Sequence, residues 1–359
     1  MSIRVLIVED SVVVCELLDF ILGSDPAIRV VGTAHDGEEA LQAVEALKPD
    51  VITMDIQMAG MDGYEATRRI MAAHPTPIVV VSAIVDVKEV ATTFRALEAG
   101  ALAAVQKPMG IGHPDYDKTA RSLIQTVKLM SEVKVVRRRW PQQGREGLDS
   151  AVAPGAPADL RLVPGDIEIV AIGASTGGPP ALQTILSGLP KDFPAPVLIV
   201  QHICPGFVRG LAVSLAGSCN LPVHVATQGE LLLPGHVYLA PDKLQMGVQI
   251  DGRISLSTDP PENGQRPATS YLFRSVAQVY GCKAVGVLLT GMGRDGAEEL
   301  KLMKTKGAVT IAQDKESSVV HGMPGEAIKL DAAVYVHPPA GIAVLLKRIV
   351  SSFKSQVPS

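Results

Sequence analysis

Five times in the first 131 residues a short apolar run is followed by an amphipathic stretch, and this alternation constrains the fold more than any other feature. The runs Val5–Val8, Val30–Ala34, Val51–Met54, Ile78–Val81 and Ala103–Val105 have the length and unbroken apolarity of strands buried on both faces. Helical patterns over Val12–Leu22, Glu38–Leu47, Tyr64–Ala73, Val87–Ala99 and from about Lys118 follow them in turn. Such β-α units in series predict a parallel, doubly wound sheet with right-handed crossovers and a ligand site at the carboxyl ends of its strands.

The alternation breaks and then resumes. "VKVVRRRWPQQGREGLDSAVAPGAPADLRLVPG" starts as a basic helix end and becomes a Pro/Gly/Ala run without periodicity, which predicts a linker over 132–165. Strands are expected again at Ile167–Ile172, Val197–Val200, Val237–Leu239, Ala284–Leu289 and Ala308–Ala312. Helices are expected at Ala181–Ser187, Phe207–Leu215, Thr269–Tyr280 and Ala297–Lys306. Asp251-Gly252, between Gly247–Ile250 and Arg253–Leu256, predicts a two-residue hairpin turn. The fold class is therefore α/β with two doubly wound domains, 1–131 and 166–353, the second mostly parallel and carrying an antiparallel hairpin.

Composition removes several function classes. A net charge of −4 offers no basic face for nucleic acid, and the basic run Lys134 to Arg139 reads as a solvated linker face. The four cysteines, Cys15, Cys204, Cys219 and Cys282, form no C-x-x-C pair, which argues against a disulfide framework or zinc and for a reducing compartment. No apolar run reaches the roughly 18 residues of a membrane span, and a strand begins at Arg4 where a signal peptide would lie. A cytoplasmic protein without membrane insertion is expected.

Glu9 and Asp10 end the first strand and Asp55 the third, neighbouring ends at the switch point of such a sheet. Three carboxylates so placed repel one another and suit Mg²⁺. Ser82 and Lys107 end the fourth and fifth strands and add a hydroxyl and a cation. Pro108 suits a fixed turn after Lys107, a cis bond being one form of it. A carboxylate beside a metal, a lysine and a hydroxyl can accept a phosphoryl group. With "VLIVEDS", "MDIQMAGMDG", "VVVSA" and "VQKP", residues 1 to about 125 resemble a response-regulator receiver domain, a flavodoxin-like (βα)5 fold. The resemblance implies Asp55 as phosphoacceptor, Mg²⁺ held by Glu9, Asp10, Asp55 and the Gln57 backbone, and Ser82 and Lys107 as switch residues. Ala59 and Ala104 depart from that family's usual proline and aromatic.

In "VAIGASTGGPPAL" the glycines frame Ser175 as G-x-S-x-G, a weak signal that also fits an anion-binding loop at a helix start. The complete G-x-G-x-x-G order and a P-loop lysine are both missing. A nucleophilic serine needs a base and a group to orient it. "VLIVQHI" puts His202 just beyond one strand, and "VGVLLTGMGRDG" puts Asp295 in a loop beyond another, so all three share a rim. Gly291 and Gly293 would let backbone N–H groups turn inward there. The α/β-hydrolase order would instead take Asp295 as acid and His321 or His337 as base.

"IGASTGGP", "QH", "LLPGHVYLAP", "RPA", "LFRSVA", "LLTGMGRDG" and "HGMPGEA" resemble the catalytic domain of chemotaxis protein-glutamate methylesterases, whose receiver–linker–catalytic order the whole chain follows. The resemblance implies Ser175 as nucleophile, His202 as base, Asp295 as orienting acid, the Met292 N–H as oxyanion donor and Thr176 lining the site. It implies hydrolysis of glutamate methyl esters on chemoreceptor helices without a cofactor in that domain, with deamidation of receptor glutamines by the same chemistry. A histidine autokinase would supply the phosphoryl group, and the receiver would control access to the triad; a monomer is expected. Ile203, Cys204, Thr227, Gln228, Gln245, Gln265, Ala268, Ser270 and His321 depart from the family's usual residues, which bears on substrate choice. Cys204 reads as inert packing. The rival reading is a response regulator whose second domain only binds a partner.

Overall fold

A computed structural model describes residues 2–83, 87–133, 135 and 167–351. Apart from residues 132, 133 and 135, the expected linker lies outside the described residues. The first unit runs β1 (Ile3–Val8), α1 (Val12–Gly23), β2 (Ile28–Ala34), α2 (Gly37–Leu47), β3 (Val51–Met54), α3 (Gly63–Ala73), β4 (Ile78–Ser82), α4 (Val87–Glu98), β5 (Ala103–Gln106) and α5 (Tyr116–Ser131). The strands form one parallel sheet in the order β2-β1-β3-β4-β5. β3 and β4 are buried at every position, as helices on both faces require. Helix starts follow local chemistry: Asp36 caps α2 through Glu38 and Glu39 N–H, and Asp62 caps α3 through Glu65 N–H.

The second unit runs β6 (Ile169–Ala174), α6 (Gly178–Ser187), β7 (Val197–Gln201), α7 (Val208–Ser218), β8 (Val223–Val225), β9 (Val237–Leu239), β10 (Gln245–Val248), β11 (Ile254–Ser257), α8 (Thr269–Val279), β12 (Ala284–Leu288), α9 (Ala297–Thr305), β13 (Val309–Gln313), α10 (Met323–Lys329), β14 (Tyr335–His337) and α11 (Pro339–Ser351). Seven strands pair in the order β14-β13-β12-β6-β7-β9-β8, all parallel. The chain leaves β6 on one side for β7 and later returns to its other side as β12, which makes the ends of β6 and β12 the switch point.

Three expectations are corrected. The hairpin β10–β11 is a separate two-stranded sheet, and its turn has three residues, not two: Gly252 N–H donates to Gln249 O and Gln249 N–H to Arg253 O. Gly252 sits at φ 75°, so it completes a type I turn with a bulge instead of a mirror-image turn. The Lys107–Pro108 bond is trans; among the described residues the cis bond is Arg266–Pro267. β8, α10, β14 and α11 are additional elements, and β14 carries His337 at the sheet's edge.

The first unit rests on the second through α4. Glu98 Oε1 accepts hydrogen bonds from Gln183 Nε2 on α6 and Ser214 Oγ on α7, both at 3.0 Å. Phe94 packs edge-on against Phe207, with ring centroids 6.3 Å apart. Buried side chains of both units thereby join in one apolar cluster.

Candidate functional site

Both rims form where buried strands give way to polar residues. In the first unit β1 and β3 are adjacent, Val8 pairing with Met54, so Glu9 and Asp55 emerge side by side. Both are buried and Asp10 is exposed, yet each of the three offers an oxygen within 4.8 Å of the others'. Lys107 Nζ lies 3.0 Å from Asp55 Oδ2 and 2.9 Å from Glu9 Oε2. Burial, and then the charge of Asp55, pushes the Glu9 carboxyl up. Glu9 Oε2 accepts no well-directed hydrogen bond despite the nearby ammonium. Three carboxylates against one ammonium leave room for a hard dication, so the residues present fit Mg²⁺. Gln57 N–H donates to Asp55 Oδ1 at 3.3 Å, and Ser82, fully buried, ends β4 beside them. Gly63 explains the "MDG" spelling: a Cβ there would lie 1.9 Å from the Asp55 carbonyl oxygen.

In the second unit Ser175 follows β6 and His202 follows β7, while Asp295 lies in the loop between β12 and α9. Gly177, at φ 77°, turns the chain after Ser175 into α6, and Gly178 N–H donates to Ser175 O at 2.8 Å. Ser175 N–H donates to Thr290 O at 3.0 Å, and His202 N–H to Ala174 O at 2.9 Å. These bonds tie the three strand ends into one rim.

His202 Nε2 lies 2.9 Å from Asp295 Oδ2, and both side chains are buried. The ring N–H is poorly aligned with that oxygen, so the contact is close without being a well-directed hydrogen bond. Asp295 also accepts from Thr269 N–H (2.6 Å), Ser270 N–H (3.2 Å) and Asn263 Nδ2 (3.0 Å). Thr269 and Ser270 open α8, whose N-cap residue Ala268 has no capping side chain, so Asp295 caps that helix from another loop. Burial pushes the Asp295 carboxyl up, but His202, Asn263 and Ser270 outweigh it and hold the group at about 2.

Ser175 Oγ makes no hydrogen bond among the described residues, to His202 included. Apo sites often close that last contact only on binding. Gly291 departs from expectation: its N–H is spent on Val320 O at 2.9 Å instead of turning inward. The neighbouring Met292 N–H has no partner among the described residues. The Met292 side chain is exposed and faces Ile124, Lys128 and Leu129 of α5 across a cleft of about 520 Å³. Thr176 is fixed by Thr290 Oγ1, which donates to its carbonyl at 2.9 Å.

The alternative histidines make other contacts, although the His321 backbone bridges Gly291 beside the Ser175 rim. His321 Nδ1 lies 3.3 Å from Ser318 Oγ, burial pushes its ring down, and it makes no pair with Asp295. His337 stacks on Tyr335 in β14. Among the departures, Gln245 is fully buried and scaffolds the loop before α8, donating to Pro260 O and accepting from Ala268 N–H. Ser270 Oγ donates to Glu299 Oε2 at 2.6 Å and accepts from Gly296 N–H, so it braces the Asp295 loop. Burial pushes the Cys204 thiol up, in keeping with packing.

Sequence reading missed Gln201, Thr290 and Gln313, each a polar residue at or just past the end of a buried strand, and Asn263. For the first three, polarity in that position was the available signal. For Asn263 there was none, because its role depends on a loop conformation, φ 50°, that spacing does not reveal.

The response regulator receiver domain family matches residues 5–113, and the CheB methylesterase family matches residues 170–346. A protein-glutamate methylesterase/protein-glutamine glutaminase of Nitrosospira multiformis is 59% identical over 349 residues, which cover 97% of each chain. One from Geobacter metallireducens is 56% identical over 96% of this chain and 98% of its own. The crystal structure of the Thermotoga maritima CheB methylesterase catalytic domain matches with a TM-score of 0.50 and 41% identity, covering 51% of this chain and 98% of that one. Fold and matches together define a response regulator with an α/β output domain. The chain belongs to the CheB methylesterase family.

Proposed function

We propose that this chain is a phosphorylation-activated protein-glutamate methylesterase acting on methylated chemoreceptor helices, with residues 1–131 as receiver and 166–353 as catalytic domain. The observation that carries the reading is the buried His202–Asp295 pair, which the ends of β7 and β12 bring together on either side of the β6 end that leads into Ser175. Ser175 Oγ attacks the glutamyl ester carbonyl and gives its proton to His202. With Nε2 turned to Asp295, Nδ1 is the nitrogen that takes it. Asp295, ionised and braced, balances the imidazolium that forms. The Met292 N–H receives the oxyanion, with Thr176 beside it. His202 then protonates the leaving methoxide, and water, activated by the same base, releases the glutamate from the acyl-enzyme. An amide follows the same course with a poorer leaving group, which extends the reading to receptor glutamines.

In the receiver, Asp55 takes a phosphoryl group from a histidine autokinase. Glu9, Asp10, Asp55 and the Gln57 carbonyl would hold Mg²⁺, which offsets charge on the transferring group. Lys107 and Ser82 then bind the phosphoryl oxygens and report its presence. A cytoplasmic monomer suits the reading, and among the described residues no helix is long and apolar enough to cross a membrane.

The test is methanol release from methylated receptor membranes, with and without Mg²⁺ and a small phosphodonor, for the native chain and Ser175→Ala. Release should rise with phosphodonor and vanish in the variant. Release retained by Ser175→Ala would remove Ser175 as nucleophile. A native chain inert on every receptor ester and amide would favour the partner-binding alternative.

A further inference from the structure

The proposed chemistry leaves unexplained a buried amide between nucleophile and base. Gln201, the last residue of β7, is 6% exposed. Its Nε2 donates to Ser175 O at 2.8 Å and to His202 O at 2.9 Å. We infer that Gln201 is a positioning residue for the esterase reaction, its single side-chain amide fixing the separation of the Ser175 and His202 main chains. This inference rests on the Ser175–His202–Asp295 reading.

The sheet itself shows why such a device is needed. The β6–β7 pairing ends at Ala174 opposite Gln201, and the His202 N–H to Ala174 O bond is its last rung. Beyond it the chains diverge, Ser175 turning into α6 and His202 leaving toward α7. That rung fixes the His202 N–H against the residue before Ser175, but no backbone rung joins the Ser175 and His202 carbonyl ends beyond it. The Gln201 amide spans the gap as one more rung, built from a side chain and anchored on one carbonyl from each strand end.

The orientation of the amide is dictated by its partners. Both are carbonyl oxygens, so only the NH₂ end can face them; the flipped amide would set oxygen against oxygen twice. Both Nε2 protons are thereby used. Oε1 is left buried without a partner, turned toward α6, where a Cβ on Gly178 would lie 2.0 Å from it. The glycine at 178 is thus the space in which the amide sits. A side chain kept buried at the cost of an unpaired acceptor is performing its other contacts.

Catalysis is sensitive to this kind of placement, since an ångström of misalignment between reacting groups can cost about a hundredfold in rate. Gln201→Met keeps the volume and removes both donated bonds. Gly178→Ala keeps the amide and displaces it, which provides a second variant should the first fold poorly. For each, kcat and KM for methanol release, the rate of labelling by a serine-directed phosphonate, phosphoryl uptake by the receiver and thermal unfolding are measured beside the native chain and Ser175→Ala.

Both variants should lose about ten- to a hundredfold in kcat and in labelling rate. KM, phosphoryl uptake and the pH at which the activity rises should stay in place, because substrate contacts and the base's charge environment are untouched. Folded variants with native kcat and labelling overturn the inference while leaving the triad standing. A loss that appears only as lower thermal stability, with native kcat per folded molecule, also overturns it. Native turnover by Ser175→Ala removes the triad reading and this inference with it.

Discussion

Asp295 shows how a carboxylate can be buried and still ionised. Its desolvation is offset first by the His202 ring, then by the Asn263 amide and by Ser270, which together hold it at about 2 against an ordinary 3.8. A folded-state value below the unfolded one contributes stability that is present above about pH 4 and is lost as pH falls through about 2. The shift corresponds to about 2 kcal/mol. Asp295→Asn should therefore be less stable than the native chain at neutral pH, and the gap should close between about pH 4 and 2, as denaturant midpoints across that range would report. A gap independent of pH would mean that the carboxylate is not held ionised by these partners. The proposed triad residues stood out in the sequence because each is polar directly after, or one loop beyond, a buried apolar run. Their braces were not. Gln201, Asn263 and Ser270 act through distances to backbone atoms and to residues 26 to 32 positions away, which spacing along the chain does not encode.

At the scale of elements, the strand and helix series was legible because parallel strands buried on both faces leave an unmistakable apolar run. Elements lacking that signature escaped notice. β8 has three residues, all half-buried, and β14 is an edge strand with one exposed position. The hairpin was recognised but its turn misjudged, since Asp-Gly serves both a two-residue turn and the bulged three-residue turn that Gly252 completes. The element junction most exposed to test is the start of α3. Gly63 lies so close to the Asp55 carbonyl that any side chain must displace the β3 end or the helix. Gly63→Ala should destabilise the chain by about 1–3 kcal/mol, as overpacking does, and should slow phosphoryl uptake from a small phosphodonor severalfold. Thermal unfolding and phosphoryl incorporation measured on the same preparation would check both. Unchanged values would show that the junction yields without cost.

At the scale of the whole molecule, the proposed function requires phosphorylation at Asp55 to be felt at the Ser175 rim of another sheet. The receiver contacts the catalytic unit through α4, and Glu98 is its most directed contact: one carboxylate oxygen accepts from both Gln183 on α6 and Ser214 on α7. α6 is the helix that Ser175 leads into, and Met292 faces α5 across a cleft of about 520 Å³, so the receiver stands beside the rim. Phosphorylation can act here by shifting the population from this docked form toward an open one, which requires the docked form to be favoured by only a few kcal/mol. Loss of the two Glu98 bonds would remove on the order of 1–2 kcal/mol of that preference, allowing for partial solvent exposure. Glu98→Ala should then raise methanol release without phosphodonor by about five- to thirtyfold and reduce the further stimulation by phosphodonor in proportion. Phosphoryl uptake at Asp55 should be unchanged, because Glu98 lies away from the carboxylate cluster. If basal release stays low and stimulation stays intact, the α4 contact is incidental, and control must pass through the cleft between α5 and Met292.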